Sequence, residues 1–457
     1  MEEKSFKLPV INGHRELLYY FANFFEEEQK GKDIPLRFVV TKTDDKYYYC
    51  ETGCLPPSSS IAARHDESIF RFRKRKTENT NSFNAMLLIP TGIGTEIGGH
   101  AGDAGPVSRV IASCCDNLIL HPNVVNASDI NEMTENTLYV EGSVLSRLLL
   151  GTVGLQKVRS NRVLMVIDNH KLDIFVNAAI NSVNAARATY GLNCPEVIKL
   201  EPSIKMSATY SDSGRAVGKI EGLENLFELL DERSDEFDAV ALSSVIKVPH
   251  SYHMDYFKSE GEMLNPWGGV EAMLTHAVSH YYNLPSAHSP MFETEAIANI
   301  DPGVVDSRMA AEAVSVTFLQ CILKGLQRSP KIITDEKAIL QNDVISAEDI
   351  SCLIIPDGCI GLPTLAALEQ GIPVIAVRGN TNVMENNLEA LPWGLNQLHI
   401  VDNYLEVVGA MSAIKAGISI ESIQRPLHST KVTTKIIAEK QPETLTKVNE
   451  GGINFVS

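Results

Sequence analysis

From Ala85 onward, short apolar runs alternate with longer stretches of helical spacing. "AMLLIP", "NLILHP", "RVLMVID", "EVIKLEP", "DAVALSSVI", "KIITD", "CLIIP" and "PVIAV" have the length and the β-branched content of buried strands. Between them, "DIFVNAAINSVNAARATYG", "LENLFELLDER", "GGVEAMLTHAVSHYYN" and "SRMAAEAVSVTFLQCILKGLQ" place apolar residues at helical intervals. Such alternation predicts βαβ units and parallel sheets covered on both faces. The first 80 residues read differently. An amphipathic helix in "HRELLYYFANFFEEEQ" precedes strand-like "IPLRFVVTK", "KYYYCE" and "SIFRFRKRK", and polar "RKTENTNSFN" leads into the main body.

The expected fold is therefore α/β, with two Rossmann-like parallel-sheet halves and a small N-terminal α+β appendage. The appendage is assigned residues 1–80, the first half 81–300 with a glycine-rich loop, and the second half 301–430. Residues 431–457 read as a polar tail, surface-draped or mobile. Length agrees, because 457 residues exceed the roughly 250–300 that one hydrophobic core serves.

Composition narrows the function classes. A content of 44% hydrophobic and 21% charged residues is that of a globular protein. No apolar run reaches the ~18 residues of a membrane span, and "MEEKSFKLPV" lacks a basic region followed by an apolar core. The expectation is a cytoplasmic protein with no membrane partner. A formal charge of −17 repels phosphate backbones, so nucleic acid is not expected either; the one basic run, "RFRKRK", reads as an exposed strand. Eight cysteines form no disulfide framework. Cys50 and Cys54 are read as flanking a turn in "CETGC", where zinc would need a second ligand pair that does not follow.

The most unusual stretch is "MLLIPTGIGTEIGGHAGDAGP", in which Gly92 to Gly105 hold six glycines together with Glu96, His100 and Asp103. A glycine turn between strand and helix lets backbone N–H groups approach an anion, so the loop is expected to touch a ligand. Nucleotide fingerprints are missing: no Gly-Lys-Ser/Thr follows, Gly92, Gly94 and Gly98 are spaced G-x-G-x-x-x-G, and the second strand ends in His121, Pro122 and Asn123 rather than an acid. No cofactor is identified. "LLIPTGIG" has an echo in "LIIPDGCIG", where a strand again runs into Pro, a polar residue and Gly.

Ligands of parallel sheets bind beyond the carboxyl ends of the strands, which makes those ends the place to look for a site. Thr91, His121, Asn123, Asp168, His170, Ser244 and Asp357 lie there. Nearby loops add Gly94, Gly98, Gly99, Ser213 and Arg215 in "SDSGRAVG", Asn265 in "NPWGGVEA" and His288 in "PSAHSPM". His276 and His280 share a helical face without the Glu of an H-E-x-x-H site, so no metal ligands are assigned.

"PTGIGTEIGGHAGDAGPVSR", "HPNVVNASDINEMTENTLYVEGS", "NPWGGVEAMLTHA" and "PSAHSPM" together resemble an uncharacterised bacterial family, common in cyanobacteria and known as a domain of unknown function. The likeness covers about residues 83–335 and, more faintly, the remainder; it implies no activity. A looser likeness joins "GGHAGDAGPVSRVIA" and "PDGCIGLPTLAALEQGIPVIAVRGNT" to two-domain nucleotide-sugar glycosyltransferases and epimerases. That resemblance implies a diphosphate on the glycine turn and a ribose on Glu369. It departs in the middle, where more than 250 residues separate the two motifs.

These expectations converge on a cytosolic metabolic enzyme that holds a small anionic metabolite between glycine-rich loops. His100 or His170 would transfer a proton, Asp168 or Asp103 would orient it, and Arg215 or loop N–H groups would hold the anion. A nucleotide-sugar transferase or epimerase, a metal-dependent hydrolase and a non-catalytic metabolite-binding protein remain as alternatives. The sequence is also compatible with a homo-oligomer.

Overall fold

Strands made mostly of apolar residues need cover on both faces, and the six-stranded sheet provides it. The strands Asn84–Leu87, Ile350–Pro356 and Val374–Val377 are buried along their whole length. The computed structural model describes residues 1–11, 16–28, 33–57, 61, 68–126, 133–314 and 318–435. Of the expected C-terminal tail, residues 436–457 lie outside that set, and 431–435 are exposed without regular structure.

All five pairings in the six-stranded sheet are parallel. One edge runs outward from Asn84–Leu87 through Asn117–Leu120 to Thr137–Tyr139; the other runs from Ile350–Pro356 through Val374–Val377 to Leu398–Val401. Strand order therefore reverses between the two central strands, where Met86 pairs with Leu353 and Leu87 with Ile354. This sheet takes strands from both sides of residue 300, so the boundary expected there is not one between sheets. The echo between "LLIPTGIG" and "LIIPDGCIG" is thus the echo of two neighbouring strands.

The second sheet has ten strands and is mixed. Val163–Asp168, Val197–Leu200, Ala239–Lys247 and Ser286–Met291 form its parallel part. Lys205–Tyr210 pairs in parallel with Ala239–Lys247 and turns back antiparallel as Ala216–Glu221. Onto that hairpin the chain adds Glu2–Pro9, Tyr47–Leu55 and Ile34–Thr43, all antiparallel. The expected appendage is therefore built into the larger sheet through these strands. Cys50 and Cys54 lie within one strand, both buried, rather than across a turn. "RFRKRK" is an irregular strap, not a strand: the Arg75 guanidinium donates to the carbonyls of Ile350, Gln370 and Gly371.

Helices follow their apolar spacing. Leu223–Glu232 buries Leu223, Leu226, Phe227 and Leu230, one stripe at i, i+3, i+4 and i+7. Asp173–Tyr190 buries Phe175, Val176, Ala179, Val183 and Ala186 and stops at Gly191, whose left-handed φ of 71° suits glycine. The helix Gly268–Tyr282 differs, because it is packed on several sides and buries Val270, Met273, Leu274, Ala277 and Val278 together with Thr275, Ser279 and His280. Gly269 opens it against the ten-stranded sheet, where an added Cβ would stand 1.9 Å from the Ala216 carbonyl oxygen. None of the described helices is long and apolar enough to cross a membrane.

Candidate functional site

The glycine loop proves to be tied to the protein itself. Glu96 N–H donates to Thr381 O at 3.0 Å, and Ile97 N–H to Asn380 Oδ1 at 2.8 Å. Gly98 N–H donates to Asp103 Oδ1 at 2.8 Å, and Ala101 N–H to the Glu312 carboxylate. Its glycines are required by close packing as much as by turning. A Cβ on Gly94 would meet Leu264 Cγ at 2.6 Å, on Gly98 Ile89 Cγ2 at 2.7 Å, and on Gly99 the Thr95 carbonyl at 2.1 Å. Gly94 and Gly98 also have positive φ, 62° and 86°. Gly98→Val and Gly99→Val are accordingly expected to lower stability by roughly 2–5 kcal/mol, through strain and overpacking. Thermal unfolding checks this, and unchanged melting temperatures would contradict it.

Two chambers open at the strand ends. The first, about 250 Å³, is lined by Thr91, Gly92, Gly99, His121, Asn123, Asn265 and His288 among the residues expected from sequence. It also has four carboxylates in its wall, Glu141, Glu271, Glu293 and Glu312, and no Lys or Arg among the described lining residues. The second, about 150 Å³, lies between Pro90–Ile93 and Cys359–Thr364, at the point where strand order reverses. Arg37, Arg147, Arg215, His276 and His280 line it, and no described Asp or Glu does. Thr91, His121 and Ala272 belong to both walls.

Glu141 follows the strand Thr137–Tyr139 and caps the helix Gly142–Leu149, accepting from Ser143 N–H at 2.8 Å and from the Ser143 hydroxyl. Its Oε1 meets His276 Nδ1 at 2.5 Å and Thr275 Oγ1 at 3.2 Å. Burial alone would raise this carboxyl, but the His276 imidazole and the donated hydrogen bonds hold it down at about 2. It is therefore a carboxylate, and it orients His276. Beside it, His121 is buried and pushed down to about 4, chiefly by desolvation, so its imidazole is neutral. Its Nδ1 accepts from Asn123 N–H at 3.2 Å, which puts the proton on Nε2. Gly142 sits between the two rings: a Cβ there would be 2.7 Å from His121 Nε2 and 2.9 Å from His276 Cε1.

A second relay runs away from the first chamber. Glu271 Oε2 meets His288 Nδ1 at 2.9 Å, and His288 Nε2 meets Ser244 Oγ at 2.8 Å. The spacing is that of a nucleophile triad, but the direction is opposite. Glu271 and His288 line the chamber, whereas Ser244 does not and is 3% exposed, with its hydroxyl also 3.0 Å from Met206 Sδ. The carboxylate is the end that a ligand can reach.

Apart from Arg215, the remaining expected residues fall outside both walls. His100 Nδ1 lies 2.7 Å from Tyr256 Oη, and burial lowers the imidazole's affinity for a proton. Tyr256 continues to Glu312, whose carboxyl is raised by burial against the opposing hydrogen bonds of Ala101 N–H, Tyr256 and Asn265. Asp103 is pushed up to about 7 by burial, and its Oδ2 has no partner among the described residues. Asp168 accepts from Val245 N–H at 2.9 Å and is raised to about 6 by burial. His170 accepts from Leu172 N–H at 2.9 Å and packs on Phe175. Ser213 bonds Ser211 within the hairpin turn, and Asp357 Oδ1 takes its neighbour's Gly358 N–H. Glu369 lies near Lys74 and Glu16. Arg215 does reach a chamber, the second, held by Glu3 at 3.2 Å and Glu51 at 2.6 Å. Among the described residues no three His, Cys, Asp or Glu side chains gather as metal ligands.

The site residues to which the sequence assigns no role are Glu141, Glu271, His276 and Glu312, of which His276 is named there only beside His280. Three of them stand in stretches whose pattern drew notice for other reasons, "TLYVEGS" and "NPWGGVEAMLTHA".

Fold and site together define a mixed α/β protein with a two-chambered pocket at the carboxyl edge of a parallel sheet. The chain matches a protein family over residues 84–424, which include both central strands of that sheet. It belongs to this family, the proteins of unknown function DUF3326. It is similar to the uncharacterized lipoprotein syc1174_c of Synechococcus sp., 32% identical over 343 residues, which cover 74% of this chain and 92% of that protein. No solved structure matches it.

Proposed function

We propose that the chain is an enzyme that binds a small anionic metabolite in the arginine-bearing chamber and moves a proton with His276. The observation that carries this reading is the Glu141–His276 pair at 2.5 Å, placed beside neutral His121 where the two chambers meet. A buried carboxylate on Nδ1 leaves Nε2 to take and return a proton, and stabilises the imidazolium that forms between those steps. His121 offers an N–H from a neutral ring, the form suited to polarise a carbonyl or receive developing negative charge. Arg37 and Arg215 offer fixed donors, and Arg215 Nε is buried without a partner among the described residues. The glycine loop shapes the pocket rather than cradling the anion, because its N–H groups named above are already used.

The six parallel strands support a Rossmann-like reading of that one sheet, with the ligand at its switch point. All eight cysteines are free thiols, which supports a reducing cytoplasm as its compartment; the lipoprotein name of the Synechococcus relative supports a membrane surface instead, and fractionation of cells distinguishes them.

Thermal shift against small carboxylates and phosphates tests binding: a ligand at about 100 times its dissociation constant stabilises by about 2.7 kcal/mol. The carboxylate that binds is then incubated in D2O with wild type and with His276→Gln. Exchange of a carbon-bound proton in the wild type alone is the expected result. Binding without exchange in either protein would leave a binding protein and remove the enzyme.

A further inference from the structure

The two chambers differ in charge in a way that one anion does not use. The first presents Glu141, Glu271, Glu293 and Glu312 with no described Lys or Arg; the second presents Arg37, Arg147 and Arg215 with no described Asp or Glu. They meet at Thr91, His121 and Ala272, so a molecule of modest length reaches from one to the other.

Several carboxylates of the first chamber are already committed. Glu141 is bound to His276 and Ser143, and Glu312 to Ala101 N–H and Asn265. Glu271 is different: His288 takes its Oε2, its side chain is 21% exposed, and its Oε1 has no hydrogen-bond partner among the described residues. Trp267 and Phe257 stand in the same wall, faces that attract a cation. The positive end of the helix Gly268–Tyr282 does not oppose this, because Asn265 Oδ1 accepts the N–H groups of Trp267 and Gly268 at 3.0 and 3.3 Å.

The second chamber has the complementary feature. Arg215 is 5% exposed, and its Nε is buried without a partner among the described residues. Glu3 and Glu51 balance the charges of Arg37 and Arg215, but the chamber is lined by the arginines and not by these acids.

We infer that the ligand is a zwitterion, a small amino acid-like molecule whose ammonium group lies against Glu271 in the first chamber and whose carboxylate lies against the arginines of the second. This rests on the anion site proposed above and adds the opposite end. Between the two ends, the ligand's middle passes His121 and the Glu141–His276 pair, where the proton is moved.

The test is isothermal titration of the full chain with three matched series of three to six carbons: α,ω-amino carboxylates, dicarboxylates and diamines. The amino carboxylate of best length is expected to bind about tenfold or more tighter than the dicarboxylate of equal length, a difference of about 1.4 kcal/mol. Glu271→Gln keeps an oxygen for His288 and loses the charge, and it should remove that preference. Equal or tighter binding of the dicarboxylate would overturn the zwitterion and leave the anion site standing. Preference for the diamine, or no binding by any acid, would overturn both. A preference that survives in folded Glu271→Gln would overturn the placement of the ammonium group; if that variant melts early, the three wild-type series decide alone.

Discussion

Above pH 7 the Asp103→Asn protein is expected to be more stable than the wild type by up to about 4 kcal/mol, and to melt about 4 °C higher. Burial raises the Asp103 carboxyl from 3.8 to about 7, and its Oδ2 has no partner among the described residues to soften the charge. The folded chain therefore binds more protons than the unfolded chain between those two values. Stability falls as pH rises through that window, and the full cost is present above it. Asparagine keeps the bond from Gly98 N–H and never ionises, so the two melting curves should converge near pH 4 and separate towards pH 8. Melting temperatures from pH 4.5 to 8.5 measure this. A gap that is constant with pH, or widest in acid, would show that Asp103 carries its charge at no cost.

The opposite sign belongs to Glu141. Glu141→Ala strips the acceptor from Ser143 N–H, the Ser143 and Thr275 hydroxyls and His276 Nδ1. Buried donors left without an acceptor cost about 3–5 kcal/mol at pH 7. Because the carboxyl falls from 4.5 to about 2 on folding, its contribution is whole above 4.5 and drains away towards 2. His121 acts in the same sense at higher pH: it falls from 6.5 to about 4, so stability is lost as acid protonates the unfolded chain first. Urea unfolding should show the largest Glu141→Ala deficit at pH 7 and a smaller one at pH 3. An equal deficit at both values would mean that the site stabilises through packing and not through charge.

The parallel strands were legible because burial on both faces leaves mostly apolar residues in them, as in "CLIIP" and "VIAV". The hairpin Lys205–Tyr210 with Ala216–Glu221 was not, since one of its faces is exposed and its turn is built from Ser, Asp and Gly. "TLYVEGS" hid a strand of three residues, too short for any periodicity, and with it Glu141. Thr91 and His121 were found because strand ends are where parallel sheets bind ligands; His288, expected in a nearby loop, lies within the strand Ser286–Met291. Glu271 projects from inside a helix that is buried on several sides, so no polar face marks it, and His276 drew notice only for sharing a face with His280, as a metal pair that lacks the Glu of H-E-x-x-H. Conversely, Asp168 and His170 stood at a strand end and yet line neither chamber.

The adjacency of Asn84–Leu87 and Ile350–Pro356 governs how the chain is made. Ribosomes add about 5–20 residues per second, so the 266 positions between Asn84 and Ile350 take roughly 13–53 s to emerge. Throughout that interval a buried central strand has one unpaired edge whose partner is not yet synthesised. Nascent chains are therefore expected to expose that edge until residue 356 is out: arrest before that point should give chains that aggregate, while arrest after Val401 should give chains that resist protease.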